Sequence, residues 1–435
     1  MVGDFTRQLS KRADAFETFS ATGESLRVQF ENDRLTEIRQ GESSGVGIRA
    51  VKQGKIGFSY SSKADEIDDT AEAALRMAPF GKPYAFQFAG EARSPHTRVF
   101  DERCSKLDVE KMVRLGTRVR EVIKSVAPEA MAECTVGGGV SSSRIVTSNG
   151  QECHERESEY GYMVAAKFAE EGNFLSTYRY RGGNQYIGDD EVLAAAREAA
   201  EEFRLARTVA PFAAGTCRVL FAPTALSDIL MPIGASVNGI NIARKTSRFV
   251  EAMGQKLFDE RLTLLDDPWH EQGPAGGLYD GEGVVTRQRA IIEKGVLKGF
   301  LHTLSTAQMC GHQPTGNAAR AVSSQPMPGA HNTVMAAGND ALADLYKQAE
   351  GGLCISQLLG TFTSNFLAGQ VSGNISLGYL VKEGRRVGRV KNCALNVNSF
   401  DLLKSRIVGI SREREWVGSE YLPWLLVEGV TISAR

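Results

Sequence analysis

The sequence has no uninterrupted apolar run approaching 18 residues, no C-x-x-C pair and no excess of either charge. Each absence removes a class of protein. A helix that crosses a bilayer needs about 20 apolar residues, so no membrane span is expected. Met1 to Ser20 mixes charged and apolar residues without a signal-peptide core. Cys104, Cys134, Cys153, Cys217, Cys310, Cys354 and Cys393 are odd in number and widely scattered. That distribution suits reduced thiols and a cytoplasmic location, not a disulfide scaffold or a zinc knuckle. Fifty-one basic against 52 acidic side chains leave a formal net charge of −1. Without a basic field to attract a phosphate backbone, no nucleic-acid partner is expected. The local basic patch of Arg385, Arg386, Arg389 and Lys391 reads as a solvated strand or turn.

What remains is the composition of a globular protein: 435 residues, 42% hydrophobic and 24% charged, with 45 glycines and 13 prolines. Leu26, Val28 and Phe30 alternate with Arg27, Gln29 and Glu31, the period of a strand with one wet face. Turn chemistry recurs at Asn32-Asp33, Gln53-Gly54, Lys294-Gly295 and Glu383-Gly384, and Asn149-Gly150 is the strongest hairpin signal because both residues accept positive φ. Helices are predicted over 65–78, ended by Pro79, then after an Asp108 N-cap, and over 190–207. Gly137-Gly138-Gly139 and Gly276-Gly277 lack a P-loop lysine and read as a linker and a turn. The pattern changes around Pro211 and Gly215. The expectation is an α+β fold of two strand-rich halves with antiparallel sheets and flanking helices, divided into residues 1–210 and 211–435.

The chemistry legible from residue types alone is thin. A hydrolytic metal site needs imidazoles or carboxylates, an open position for water and a base. His154-Glu155 and His270-Glu271 each begin an HE pair, but no second histidine follows at three to five residues. Cys310 and His312, with His302 nearby, are the one Cys/His cluster; so few residues within a dozen positions recur by chance, and no metal is expected there. No G-x-S-x-G elbow occurs. The irregular polar stretch 314–328 is longer than most connections and carries Asn317 and Arg320, so His302, His312, Asn317 and Arg320 are the candidate cavity residues.

Several segments in order carry a family resemblance. Gly45-Val46-Gly47-Ile48-Arg49 followed by Gly54-Lys55-Ile56-Gly57-Phe58, then Asp266-Asp267, Asp280-Gly281-Glu282-Gly283, Thr315-Gly316-Asn317 to Arg320, and Gly429 to Ile432 together resemble the TldD/PmbA family over nearly the whole chain. TldD-type members of that family carry an HExxxH helix and a late cysteine that bind a catalytic metal; PmbA (TldE) members lack it. At the matching helix, after Val219 to Pro223, this chain has Met231, Pro232 and Ser236, no histidine or glutamate occurs from Arg218 to Val250, and no cysteine follows Cys393. The resemblance therefore implies a PmbA/TldE-like subunit without catalytic, metal or cofactor-binding residues of its own and inactive alone. Zinc is expected only in a TldD-type partner, with which it would process unfolded peptides. A homodimeric peptide- or protein-binding regulator is the alternative, since family members have been named as modulators of DNA gyrase.

Overall fold

The computed structural model describes residues 7, 9–97, 100–170 and 173–434; residues 1–6 and 8, within the stretch from Met1 to Ser20 read above, lie outside the described residues. Residues 15–183 build a seven-stranded, wholly antiparallel sheet. Its strands are β1 (Ala15–Glu31), β2 (Arg34–Lys52), β3 (Lys55–Ser61), β4 (Lys82–Pro83), β5 (Met131–Thr147), β6 (Glu152–Glu170) and β7 (Asn173–Gly183). They lie in the order β4-β3-β2-β1-β5-β6-β7. Leu26, Val28 and Phe30 all point inward, as their alternation demands. Helix α1 (Ile67–Met77) packs Ala71, Ala74 and Leu75 onto β2. Helices α2 (Val109–Val126) and α3 (Asp189–Arg207) cover the same sheet's apolar face. Asp108 caps α2 by accepting from Lys111 N at 2.9 Å.

Residues 215–434 form an 11-stranded sheet. Its strands are β8 (Gly215–Phe221), β9 (Leu264–Asp266), β10 (Arg289–Glu293), β11 (Val296–Leu297), β14 (Thr333–Met335), β15 (Leu353–Leu359), β16 (Gln370–Lys382), β17 (Arg385–Arg389), β18 (Cys393–Asn398), β19 (Ile407–Val417) and β20 (Glu420–Ala434), while β12 (Ala318–Ala319) pairs apart with β13 (Met327–Pro328). Because β8 pairs with both β15 and β20, strands β8, β15, β16, β18 and β20 close into a ring. Pairing is antiparallel except between β8 and β15 and between β14 and β20. Helix α4 (Pro223–Val237) buries Leu226, Ile229, Leu230 and Ile233 against this core, and α5 (Gly239–Ala243) and α6 (Leu304–Cys310) pack against each other nearby.

The α+β architecture is the one the sequence predicts, and four turns follow its chemistry. Asn32 and Asp33, Gln53 and Gly54, Lys294 and Gly295, and Glu383 and Gly384 all take positive φ, the pattern that lets two residues join twisted antiparallel strands. Three readings need correction. At the β5–β6 hairpin only Gly150 is left-handed, at φ 87°, and Thr147 N reaches Gln151 O to close a wider loop. The triple glycine is no linker: Gly137, Gly138 and Gly139 lie inside β5, where a Cβ on Gly139 would collide with the Glu24 carbonyl of β1. The basic patch is not simply solvated. Arg389 is buried and donates to Phe174 O, and Arg386 pairs with buried Glu202 on α3 at 2.7 Å, because β17 lies under the first sheet's helices.

A charge cluster sealed from water joins the two sheets. Glu17 on β1 and Arg49 on β2 are cross-strand neighbours and form an ion pair. Arg49 Nη1 reaches Glu282 Oε1 at 2.8 Å, and Arg320 pairs with the same Glu17 from the other side. Arg49 also lies over the Phe86 and Phe88 rings, at 5.6 and 5.1 Å. Burial alone would raise Glu17, but Arg49 and Arg320 outweigh it and hold the carboxyl below its usual range. A single Arg49→Met substitution leaves two buried carboxylates short of a cation. It is expected to destabilise the fold by about 3–5 kcal/mol in urea titrations at neutral pH. Glu17 contributes its stability above the ordinary glutamate range, and that share disappears as pH falls through its depressed value, so the deficit of the variant should narrow in acid. An unchanged midpoint at neutral pH would show that the cluster does not join the sheets energetically.

Candidate functional site

Helix α4 carries Met231, Pro232 and Ser236, and its side chains decide what it can hold. Strand β8 ends in fully buried Phe221, Ala222 turns the chain, and Pro223 opens the helix where its missing N–H leaves nothing unsatisfied. Met231 projects outward with 42% exposure, whereas Pro232 and Ser236 are turned into the core. Ser236 Oγ is buried without a hydrogen-bond partner among the described residues. A thioether, an imino acid and a hydroxyl offer no imidazole, no carboxylate and no base, so this helix does not fit a catalytic zinc. The acid it does carry is Asp228, which accepts from Thr361 Oγ1 at 2.8 Å and which burial pushes upward.

Beside the start of α4 lies a cavity of about 490 Å³ between the two sheets, which sequence reasoning did not find. Tyr178 and Tyr180 reach it from β7, and Glu415, Trp416 and Tyr421 from the β19–β20 hairpin. Trp416 and Tyr421 stack with centroids 5.0 Å apart, and Arg414 lies 4.2 Å over Tyr421. Burial holds Tyr180 protonated, up to about 12, and lifts nearby Glu420 to about 6, with Asp228 adding to the rise. Rings with polar tips beside carboxyl groups can grip peptide main chain and side chains. No local spacing announces this cavity, since its walls come from both ends of the chain.

The four predicted cavity residues fall into two groups. His302 and His312 meet, with Nε2 to Nδ1 at 2.9 Å, and Cys310 joins them. Burial lowers His302 to about 4, with His312 and Arg289 adding to the effect, so its imidazole is neutral. Asn317 and Arg320 lie instead around a second cavity of about 380 Å³ between the sheets. Asn317 is buried and donates to Asp266 Oδ2 at 2.6 Å, an oxygen that also lies 3.1 Å from His331 Nδ1. Arg320 is engaged by Glu17 and by the Gly281 carbonyl at 3.4 Å. Asp280 anchors the same wall by accepting from Glu282 N, Val284 N and Ala318 N. Burial and the neighbouring Glu282 push Asp280 upward, because two arginines balance only two of the three acids gathered there.

Residues 214–434 match the PmbA/TldA metallopeptidase C-terminal domain, and residues 17–78 match PmbA/TldA metallopeptidase domain 1. The structure superposes on that of TldE from Thermococcus kodakarensis over 100% of both chains, with a TM-score of 0.92 at 18% identity, a likeness of fold. A protein of Archaeoglobus fulgidus named Metalloprotease is 25% identical, with 90% of each chain covered. Metalloprotease PmbA of Escherichia coli O157:H7 is 21% identical over 97% of this chain and 93% of its own length.

The orphaned hydroxyl on α4 is open to a direct test. Ser236→Ala removes a buried polar group that has nothing to bond, so stability is expected to stay level or rise by up to about 1 kcal/mol in chemical denaturation. A loss larger than that would mean the hydroxyl has a partner and a role in this helix.

Proposed function

The chain belongs to the PmbA/TldA metallopeptidase family, and from that premise we propose that it is a PmbA/TldE-like non-catalytic subunit of a TldD/TldE-type complex that processes unfolded peptides. What supports this reading is α4, the helix that by sequence resemblance corresponds to the metal-binding helix of TldD-type members and that carries Met231, Pro232 and Ser236. A catalytic base alone is worth about 10²–10⁴-fold, so three positions that offer neither ligand nor base are no basis for hydrolysis by this chain. The catalytic zinc belongs, on this reading, to a TldD-type partner, and the work proceeds in the cytoplasm.

This chain's part is to shape the chamber and hold the substrate. Strand β7 ends the order of the first sheet, the position at which an extended peptide would add, and it places Tyr178 and Tyr180 at the inter-sheet cavity. Main-chain pairing along such an edge gives sequence-tolerant affinity, and the aromatic side chains beside it add contact area. Neither needs chemistry from this chain.

Co-expression with a TldD-type chain tests the reading. The expected result is a stable complex that cleaves unfolded peptides and loses activity to a chelator, while this chain alone gives only background cleavage and the partner alone cleaves poorly. Failure to form a complex, together with no change in the partner's activity, would overturn it. In that event a peptide-binding assay on the chain alone, with its size on gel filtration, decides for the homodimeric regulator.

A further inference from the structure

We propose that His302, Cys310 and His312 form a zinc site, separate from the α4 helix and independent of the subunit reading above. One donor atom from each of His302, Cys310 and His312 lies within 4.8 Å of the other two, and His302 Nε2 and His312 Nδ1 are 2.9 Å apart. Tetrahedral zinc with Zn–N of about 2.0–2.1 Å and Zn–S of about 2.3 Å sets its ligands roughly 3.3–3.8 Å apart. The two imidazole nitrogens, at 2.9 Å, need to part by about half an ångström to admit the ion. Imidazole and thiolate are the donor pair that suits zinc among the common divalent ions.

The local fold prepares this meeting. His302 lies just before α6, which Thr303 begins with a reciprocal capping box through Thr306. Cys310 is the last residue of α6, and Gly311, at φ 67°, turns the chain so that His312 N bonds back to Ala307 O at 2.9 Å. Residues 310 and 312 are thus presented together to residue 302 across one helical segment. Thr306 Oγ1 lies 3.2 Å from His302 Nδ1; accepting that N–H leaves the Nε2 lone pair directed at the cluster, the tautomer a metal requires. Buried Phe300 backs both rings, stacked on His312 at 5.8 Å and edge-on to His302 at 6.1 Å.

His302 is buried, Cys310 half-buried and His312 exposed, so the cluster opens to solvent on one side, where water completes a fourth position. Binding displaces the Cys310 thiol proton to bulk water and moves the His312 ring proton from Nδ1 to the solvent-facing Nε2, so that the histidine–histidine hydrogen bond is replaced by two metal bonds. The site also pins the foot of the Asn317–Arg320 segment, because His302 N donates to Thr315 Oγ1 at 2.7 Å. Zinc would thus stiffen one wall of the second cavity.

The test uses the full chain, stripped with chelator, then loaded with zinc or cobalt(II) and desalted. The expected content is about one zinc per chain, a rise in Tm on zinc addition, and a thiolate-to-cobalt charge-transfer band. Cys310→Ser and His312→Ala should each lose the ion and the band while keeping the circular dichroism of the metal-free wild type. Zinc retained at the same stoichiometry by both variants, or a wild type that binds no more tightly than Cys310→Ser, would overturn the proposal. Neither outcome bears on whether the chain pairs with a TldD-type subunit.

Discussion

Two arginines and two glutamates, enclosed between the sheets, are the constraint on which the arrangement of this chain rests. Glu17 is shared by Arg49 from the neighbouring strand and by Arg320 from the second half, and Arg49 in turn reaches Glu282. Enclosing four charges is unfavourable unless each finds its counter-charge, so the two halves must dock in one register for the cluster to exist. Its position also explains the chemistry of its surroundings. Asp280 is the surplus acid, and the three main-chain donors that hold it come from the turn at 282–284 and from Ala318, on either side of the second cavity. The charge joint and the cavity wall are therefore one structure, and Arg320 and Asn317 belong to it as much as to any ligand.

Helix α4 offers no zinc donor at Met231, Pro232 or Ser236. Helix α4 needs only its apolar face and a proline at its start to form, and those requirements are independent of what stands at positions 231, 232 and 236. Function must therefore be argued from the side chains a helix presents and not from its shape. The start of α4 lies beside the aromatic cavity between β7 and the β19–β20 hairpin.

Local features were legible in the sequence because their causes are local. Turns that place residues such as Gln53, Lys294 and Glu383 at positive φ announce themselves through the glycine that follows, and Asp108 caps its helix from three residues away. The α+β class followed from alternation and helical spacing. The reading of Met231, Pro232 and Ser236 as a degenerate motif rests on resemblance alone. The joint was not: Glu17 and Arg320 are separated by 303 residues, and nothing in either neighbourhood marks them as partners. The same holds for Asp266 with Asn317 and His331, and for the tyrosines of β7 facing Trp416 and Tyr421. Gly137 to Gly139 misled because composition describes flexibility, whereas here the absence of side chains lets β1 and β6 come close. Arg386 and Arg389 misled because charge suggested solvent before α3 and its Glu202 were known to lie above them.

The account depends on α4 being unable to hold a cation, and this is measured most directly by anomalous scattering at the zinc edge from crystals of the chain grown with zinc. The account predicts no anomalous peak within bonding distance of Met231, Pro232 or Ser236. A full-occupancy peak there, held by side chains of α4, would contradict it.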